Sequence, residues 1–542
     1  MKRILLLIAV ILAFTLALAS CKFITTPDSN DAGGADMGSS PESPSTEDPP
    51  PDEYPEDPVC EFEGHKFVDW VCTVCGENYY VYAGELSFWS IGDGTCAVGA
   101  NGTGIEHITI PTVSPDGDKV IAITEQAFNG YHWIKSIDIP DGIKYIGEGA
   151  FEGCTSLASI TIPDSVIYIG VGAFNDCESL TFNEYDNAYY VGNENNPYFA
   201  LIKSKDENIA SCEIHDSTKV IAGEAFEYCD ITTIIIPDSV IGISSSAFSN
   251  CFSLTNVTIG SSVTNIFNCA FMDCTSLESV EIPNSVTYIG GRVFTRCSSL
   301  KSVTIGKSVT YIGSNAFGGC DSITDVYYKG NIEEWCSIVF EDRDANPSRE
   351  ALYINDTLVA SVNIPDSVTS IGYAFYSCGS LTSITIPDSV TSIDDWAFYG
   401  CSSLESVTIP NSVSYIGDWT FSHCRSLTSV TIPDSVTYIG EYAFYDCSTL
   451  TSVAIPDTVT SIGGSAFENC PSLTSVTIPD SVTYIGENVF NDCTSIEYIS
   501  FCGSVDKWLE LTADIEWWNG EEGCTVYCSN GWVKSDGSVD RY

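Results

Sequence analysis

The sequence predicts a β-rich solenoid of about fourteen coils of 23 residues, with two irregular insertions and an end cap, on three observations. Cysteines recur at Cys154 and Cys177, then at Cys229, Cys251, Cys274, Cys297 and Cys320, and again at Cys378, Cys401, Cys424, Cys447, Cys470 and Cys493. Their spacing is 23 residues, apart from one of 22 and gaps of 52 and 58. A clean unit reads Leu404-x2-Val407-x-Ile409-Pro410-x2-Val413-x2-Ile416-Gly417-x3-Phe421-x2-Cys424, in which Leu, Val and Ile turn to the inner side of one short strand. The composition agrees: 43 Gly, 28 Tyr and only 3 Met among 542 residues suit a β-rich chain full of turns better than a helical bundle.

At the N-terminus, Lys2 and Arg3 precede an apolar stretch that runs to Ala19, short of the roughly 20 residues of a membrane-spanning helix. Residues 1–20 read as a secretory signal. The sequence Leu18-Ala19-Ser20-Cys21 resembles the lipobox of bacterial lipoproteins, which implies cleavage before Cys21 and acylation of its thiol. An ordinary cleaved signal is the alternative. Each buried CH₂ contributes about 0.8 kcal/mol, so acyl chains on Cys21 would hold the protein to a membrane, extracytoplasmic and at the bacterial cell surface.

Residues 21–58 are rich in Pro, Ser, Asp and Glu, with Pro49-Pro50-Pro51 among them, and bury too little apolar area to fold. They predict an extended stalk. In the segment 59–80, Cys60, His65, Cys72 and Cys75 supply four candidate tetrahedral ligands for one zinc ion, and metal would stabilise a module too small to fold alone. A disulfide, favoured by export, is the alternative. The stretch resembles small zinc-ribbon-like modules that precede repeats in bacterial surface proteins.

Residues 81–119 lead into the solenoid, which divides into arrays at 120–320 and 361–493. Each array is followed by a Gly-x4-Trp unit, Gly330 to Trp335 within 321–360 and Gly503 to Trp508 within 494–542. Trp517, Trp518, Cys524, Cys528 and Trp532 belong to the last segment, which is expected to cap the apolar end of the final coil. The first gap, around Asn196-Pro197-Tyr198-Phe199, reads as an atypical coil.

The 23-residue period and the Leu-x2-Val-x-Ile opening resemble leucine-rich repeats. The wording Ile-Pro-Asp-Ser-Val-Thr-x-Ile-Gly-x2-Ala-Phe-x2-Cys is similar to the BspA-like subfamily of bacterial surface repeats over 105–533. The resemblance implies a right-handed superhelix and an extracellular, non-enzymatic protein engaged in adhesion to host matrix or plasma proteins or to other bacteria.

Two repeated columns invite other readings. The Cys column, whose slot in the first copy falls near Tyr131 or His132, is either a redox or metal ladder or a set of thiols packed as small hydrophobes, and burial favours the latter. Pro-Asp-Ser, as at Pro387-Asp388-Ser389, is expected to fix a local turn, with a calcium ladder as the alternative.

The residue inventory argues against catalysis. The five His are His65, His107, His132, His215 and His423, without a His-Glu-x2-His or His-x-His arrangement, and no Gly-x-Ser-x-Gly elbow occurs. Lys and Arg number 21 against 73 Asp and Glu, a net charge of -52 that repels phosphate backbones and excludes nucleic acid as a partner.

Two surfaces remain for binding. Ser383 and Thr385, Ser406 and Thr408, Ser429 and Thr431, and Ser475 and Thr477 alternate with inward Val or Ile and predict a flat hydroxyl face. Trp396, Trp419 and Tyr442 share one column, and Tyr376, Tyr399 and Tyr445 another, where other coils carry Gly149, Glu224, Arg292, Asn315 or Glu468. Because those columns tolerate charge, the rings are expected to form an exposed ligand-binding stripe rather than core. The expected function is that of a monomeric, lipid-anchored adhesin or receptor for host proteins, other cells or glycans. The alternatives are a glycan-capture protein associated with an enzyme system and a passive structural spacer.

Overall fold

The computed structural model describes residues 86–101, 104, 106–513 and 524–542, together with the backbone of Phe67–Val68, Val71–Cys72 and Tyr80–Ala83. Cys21, Cys60, His65, Cys75, Trp517 and Trp518 lie outside the described residues, and Cys72 is described as backbone alone. The anchor and the zinc module are therefore carried forward as expectations.

The chain is a β-solenoid, and the coil containing Leu404 shows how its sequence dictates the path. Ser406–Thr408 is a strand whose middle residue is buried and whose hydroxyl neighbours face solvent, the period of two expected of a half-buried strand. It pairs in parallel with Ser383–Thr385 on one side and Ser429–Thr431 on the other. Pro410, lacking an N–H, ends the strand, and the Val413 N–H returns to the Pro410 carbonyl at 3.1 Å to turn the chain. A two-residue strand, Tyr415–Ile416, then pairs with Tyr438–Ile439 of the next coil. On the third side the N–H groups of Trp419, Phe421 and His423 donate to the carbonyls of Glu441, Ala443 and Tyr445 at 2.9, 2.8 and 2.7 Å. Backbone hydrogen bonds to the next coil thus satisfy all three sides of the coil.

That close stacking explains the Gly after the second strand. A Cβ at Gly440 would stand 2.6 Å from the carbonyl carbon of Gly417 and 2.7 Å from the amide nitrogen of Asp418, closer than any side chain permits.

Inside the coils, Leu404, Val407, Ile409, Val413, Ile416, Phe421 and Cys424 are all buried. The Phe rings form a stacked spine: Phe398 to Phe421 and Phe421 to Phe444 are each 5.4 Å between centroids. The column thiols are buried with them and donate to the carbonyl of the Phe in the preceding coil, Cys401 to Phe375 at 3.1 Å and Cys424 to Phe398 at 3.3 Å. Burial pushes the pKa of Cys401, Cys424 and Cys447 far above that of a free thiol, which suppresses the nucleophilic thiolate. In the first copy Tyr131 takes this slot, packed at the edge of the core.

Two expectations are corrected. The coils number about 18 rather than about fourteen, in part because 182–217, the stretch between the paired strands Asp325–Tyr328 and Ala351–Ile354, and the stretch between Tyr498–Phe501 and Thr525–Cys528 each complete a turn of their own. The Ser of Pro-Asp-Ser does not fix its own turn. Ser389 donates to Val368 O at 3.0 Å and Ser435 to Val413 O at 2.6 Å, so the hydroxyl staples its coil to the one before. One buried core runs from Ala188 to Val533 through both Gly-x4-Trp units.

Both Gly-x4-Trp units fold as short helices, Ile332–Cys336 and Val505–Leu511, capped by the side chains of Asn331 and Ser504. Trp335 and Trp508 are fully buried. At the first unit the strand sheets break while the core continues. Ala351–Ile354 folds back against Thr357–Leu358, and a new sheet starts at Ser361–Asn363. The Trp335 Nε1–H crosses the break to the Ala374 carbonyl at 2.8 Å, and the Asn346 amide crosses to the Tyr373 carbonyl at 2.7 Å. The coil beyond the break steps by 22 residues, Ser361 pairing Ser383, where the next steps by 23, Ser383 pairing Ser406.

Candidate functional site: an aromatic ladder on the second array

The turn Ala-Phe-x2-Cys is built on left-handed backbone. Trp396, Trp419 and Tyr442 have φ of 65°, 58° and 55°, and the same position holds Gly149, Arg292, Asn315, Ser465 and Asn488 elsewhere. A large side chain there costs about 1 kcal/mol relative to Gly. Three consecutive coils nevertheless carry large rings.

These rings meet. Trp396 stacks on Trp419 with centroids 4.7 Å apart and planes 9° from parallel, and Trp419 stacks on Tyr442 at 4.0 Å and 11°. Beside them runs the second column, Tyr376 on Tyr399 at 5.3 Å and 9°, with Tyr445 against Tyr442 at 5.7 Å. Trp396, Tyr399, Trp419, Tyr442 and Tyr445 are half-buried, outside the core yet part of a packed lattice. Tyr376 departs from the expected exposed stripe: it is buried, and the Arg349 guanidinium lies 5.9 Å over its ring. Desolvation accordingly raises the pKa of its phenol.

Successive rings stack coil on coil, so both faces of Trp419 are covered by neighbours. What the ladder leaves uncovered at Trp419 is ring edge. Ring edges carry the positive end of the aromatic quadrupole.

Sequence reasoning did not find four cationic or ionisable partners of this ladder. The Arg343 guanidinium lies 4.7 Å over the ring of Trp396. Arg349 covers Tyr376. His423 stands between Tyr399 and Tyr445, 5.1 and 5.4 Å from their centroids and 79° to both planes. Its Nδ1 lies 2.8 Å from Asp446 Oδ2, which also accepts from Arg425 Nε at 2.8 Å, while Asn469 donates to Oδ1 at 2.9 Å. Asp446 is buried and fully occupied, so it fixes the imidazole and guanidinium in place rather than meeting a ligand. Arg343 and Arg349 come from an insertion far away in sequence, and no local pattern links them to the rings. Their only signal was scarcity: the chain has seven Arg, and three of them, Arg343, Arg349 and Arg425, converge here.

The carboxylates on the other flank are structural. Asp395 Oδ1 accepts the Asp418 N–H at 2.8 Å and Asp418 Oδ1 accepts the Glu441 N–H at 2.8 Å. Asn268 Oδ1 does the same for the Gly291 N–H in the first array, so the column needs an acceptor and not a charge. Among the described residues no group of three or more His, Cys, Asp or Glu side chains is placed to hold a metal ion. The Ser and Thr of the strand face are laid out flat and mostly exposed, with Ser383 bonded to Ser361 at 2.8 Å.

The chain matches the family description "BspA type Leucine rich repeat region", in six copies, over residues 100–196, 204–345, 350–435 and 416–510. No curated protein matches it. Among solved structures it is similar to a leucine-rich repeat protein of Bacteroides ovatus at 27% identity, covering 82% of this chain and 100% of that one with a TM-score of 0.38. It is also similar to a leucine-rich cell surface protein of Faecalibacterium prausnitzii at 27% identity, covering 81% and 98% with a TM-score of 0.30. The pneumococcal vaccine antigen PcpA is 18% identical, with 83% and 98% covered and a TM-score of 0.33.

Proposed function

The chain belongs to the BspA-type leucine-rich repeat family, and from that premise we propose that it is a cell-surface adhesin or receptor whose ligand surface is the aromatic ladder of the second array. The observation that carries this reading is the stacking of Trp396, Trp419 and Tyr442 on left-handed backbone in three adjacent coils, where other coils carry Gly, Asn, Ser, Cys, Gln, Glu or Arg. Their packing into one stack supplies a rigid surface that loses little conformational entropy on binding. The role is one of binding without catalysis: the column thiols are held protonated by burial, and Asp446 is saturated by its neighbours. In this reading Cys21 carries the lipid that holds the protein at the bacterial surface, the acidic segment 21–58 lifts the solenoid away from it, and Cys60, His65, Cys72 and Cys75 hold one zinc ion.

The test is a binding screen of the full-length protein in detergent against host matrix and plasma proteins and glycans, repeated with Trp396→Ala/Trp419→Ala. Loss of roughly 2 kcal/mol of binding is expected, as for aromatic hot spots. A partner bound equally well by both proteins removes the ladder as the site.

A further inference from the structure

Charge is distributed unevenly around the ladder. Within residues 361–493 Arg425 is the only Lys or Arg, and it stands beside the rings. The insertion before this array delivers Arg343 to the same place. Neither guanidinium is used up: Arg343 is 47% exposed with its nearest carboxylate oxygen, on Asp344, 3.6 Å away, and Arg425 is 61% exposed with only its Nε committed to Asp446. Both charges act on the Tyr399 phenol, opposing the rise in its pKa that burial causes. His423, its Nδ1 held by Asp446, leaves its other nitrogen free of that bond. In a chain of net charge -52, this sets two exposed guanidiniums beside the rings, each with one carboxylate near it, Asp344 at 3.6 Å from Arg343 and Asp446 at 2.8 Å from Arg425.

Resting on the reading of the ladder as the ligand surface, we infer that the ligand is an extended acidic peptide segment whose carboxylates are gripped by Arg343 and Arg425 beside Tyr399. A saccharide ring binds an aromatic side chain through the ring face, and here the faces of Trp419 are covered by Trp396 and Tyr442 and a face of Trp396 by Arg343. A carboxylate needs planar forks and edge donors, which the guanidiniums and ring edges supply. The rest of the surface is acidic and repels a long polyanion, so the match is to a few carboxylates held at one place.

The probe is a capped octapeptide alternating Ala and Glu, titrated into the full-length protein in detergent, with its Ala–Gln counterpart and a hexagalacturonate as controls. Binding is expected for the Glu peptide. It should weaken by at least about tenfold for the Gln peptide, for Arg343→Gln and for Arg425→Gln. It should also weaken with added salt. No binding of the Glu peptide, or binding indifferent to both Arg substitutions, overturns the inference. Hexagalacturonate bound more tightly than the peptide with the same Arg dependence overturns the choice of a peptide. Running the Arg variants and Trp396→Ala/Trp419→Ala against any protein found in the screen separates the two readings. Loss with the Trp pair alone overturns the acidic ligand and keeps the ladder. Loss with neither overturns both.

Discussion

The Trp419 ring lies flat on the Tyr442 ring, centroids 4.0 Å apart and planes 11° from parallel, although both residues hold the backbone in the left-handed region. Two opposing terms meet at Trp419: stacking with its neighbours stabilises the turn, and its φ of 58° opposes that. Each aromatic pair is worth about 0.5–1.5 kcal/mol beyond burial, so Trp419→Ala, which breaks the two stacked pairs with Trp396 and Tyr442, should destabilise by at least about 1–3 kcal/mol. Trp419→Gly should be more stable than Trp419→Ala, because Gly adopts this φ freely. Thermal unfolding of the two variants side by side checks the order, and an Ala variant as stable as the Gly variant contradicts it.

The thiol column gives a second prediction. Cys401, Cys424 and Cys447 are buried, their pKa raised by desolvation and their S–H groups bonded to Phe carbonyls. Cys502 is exposed. A thiol reagent applied to the native protein, followed by peptide mapping, should label Cys502 and leave the column unlabelled until denaturant is added. Rapid native labelling of Cys424 would show that the coils open far more readily than their packing allows.

The column donor matters beyond its reactivity. Cys424→Ala removes one of two donors to the buried Phe398 carbonyl, which keeps the Cys401 N–H at 3.2 Å, and the lost hydrogen bond should cost about 0.5–1.5 kcal/mol, whereas Cys424→Ser keeps a donor and should cost less. Denaturant midpoints for the pair decide it. Equal losses would mean that volume, not the hydrogen bond, governs this slot.

Much of this architecture was legible in the sequence because the coil repeats its physics as well as its letters. Val407 between Ser406 and Thr408 states a half-buried strand, Pro410 its end and Gly440 a close approach to the coil before. The extra turns were not legible, since Ala351–Ile354 pairs with Asp325–Tyr328 without carrying the repeat's wording. The stripe was legible as two aromatic columns, but whether a ring is exposed depends on what covers it. Tyr376 and Tyr399 look alike in sequence, and Arg349, arriving from the insertion, helps bury the first. The same long-range delivery hid Arg343.

One carboxyl makes stability depend on pH. Burial raises Glu224 to about 7, with the charges of Glu227 and Glu148 pushing the same way. A carboxyl whose folded pKa is raised favours the native state while protonated, so its contribution is complete below about 4.5 and is lost as pH climbs through about 7. Glu224→Gln should therefore be more stable than the wild type at pH 8, by about 1 kcal/mol once its partial exposure is discounted. The difference should shrink towards pH 4.5. Unfolding midpoints across that range check it, and a pH-independent difference contradicts the assignment.

The most direct test of the ladder as the ligand surface is hydroxyl-radical footprinting of the full-length protein with and without a bound partner from the screen. Oxidation of Trp396, Trp419 and Tyr442 should fall on binding, while Tyr327, Tyr353, Tyr498 and Tyr527, on the strands of the sheet face, stay unchanged. Protection of those four tyrosines with undiminished oxidation of Trp396 and Trp419 would contradict the account and move the binding surface to the sheet.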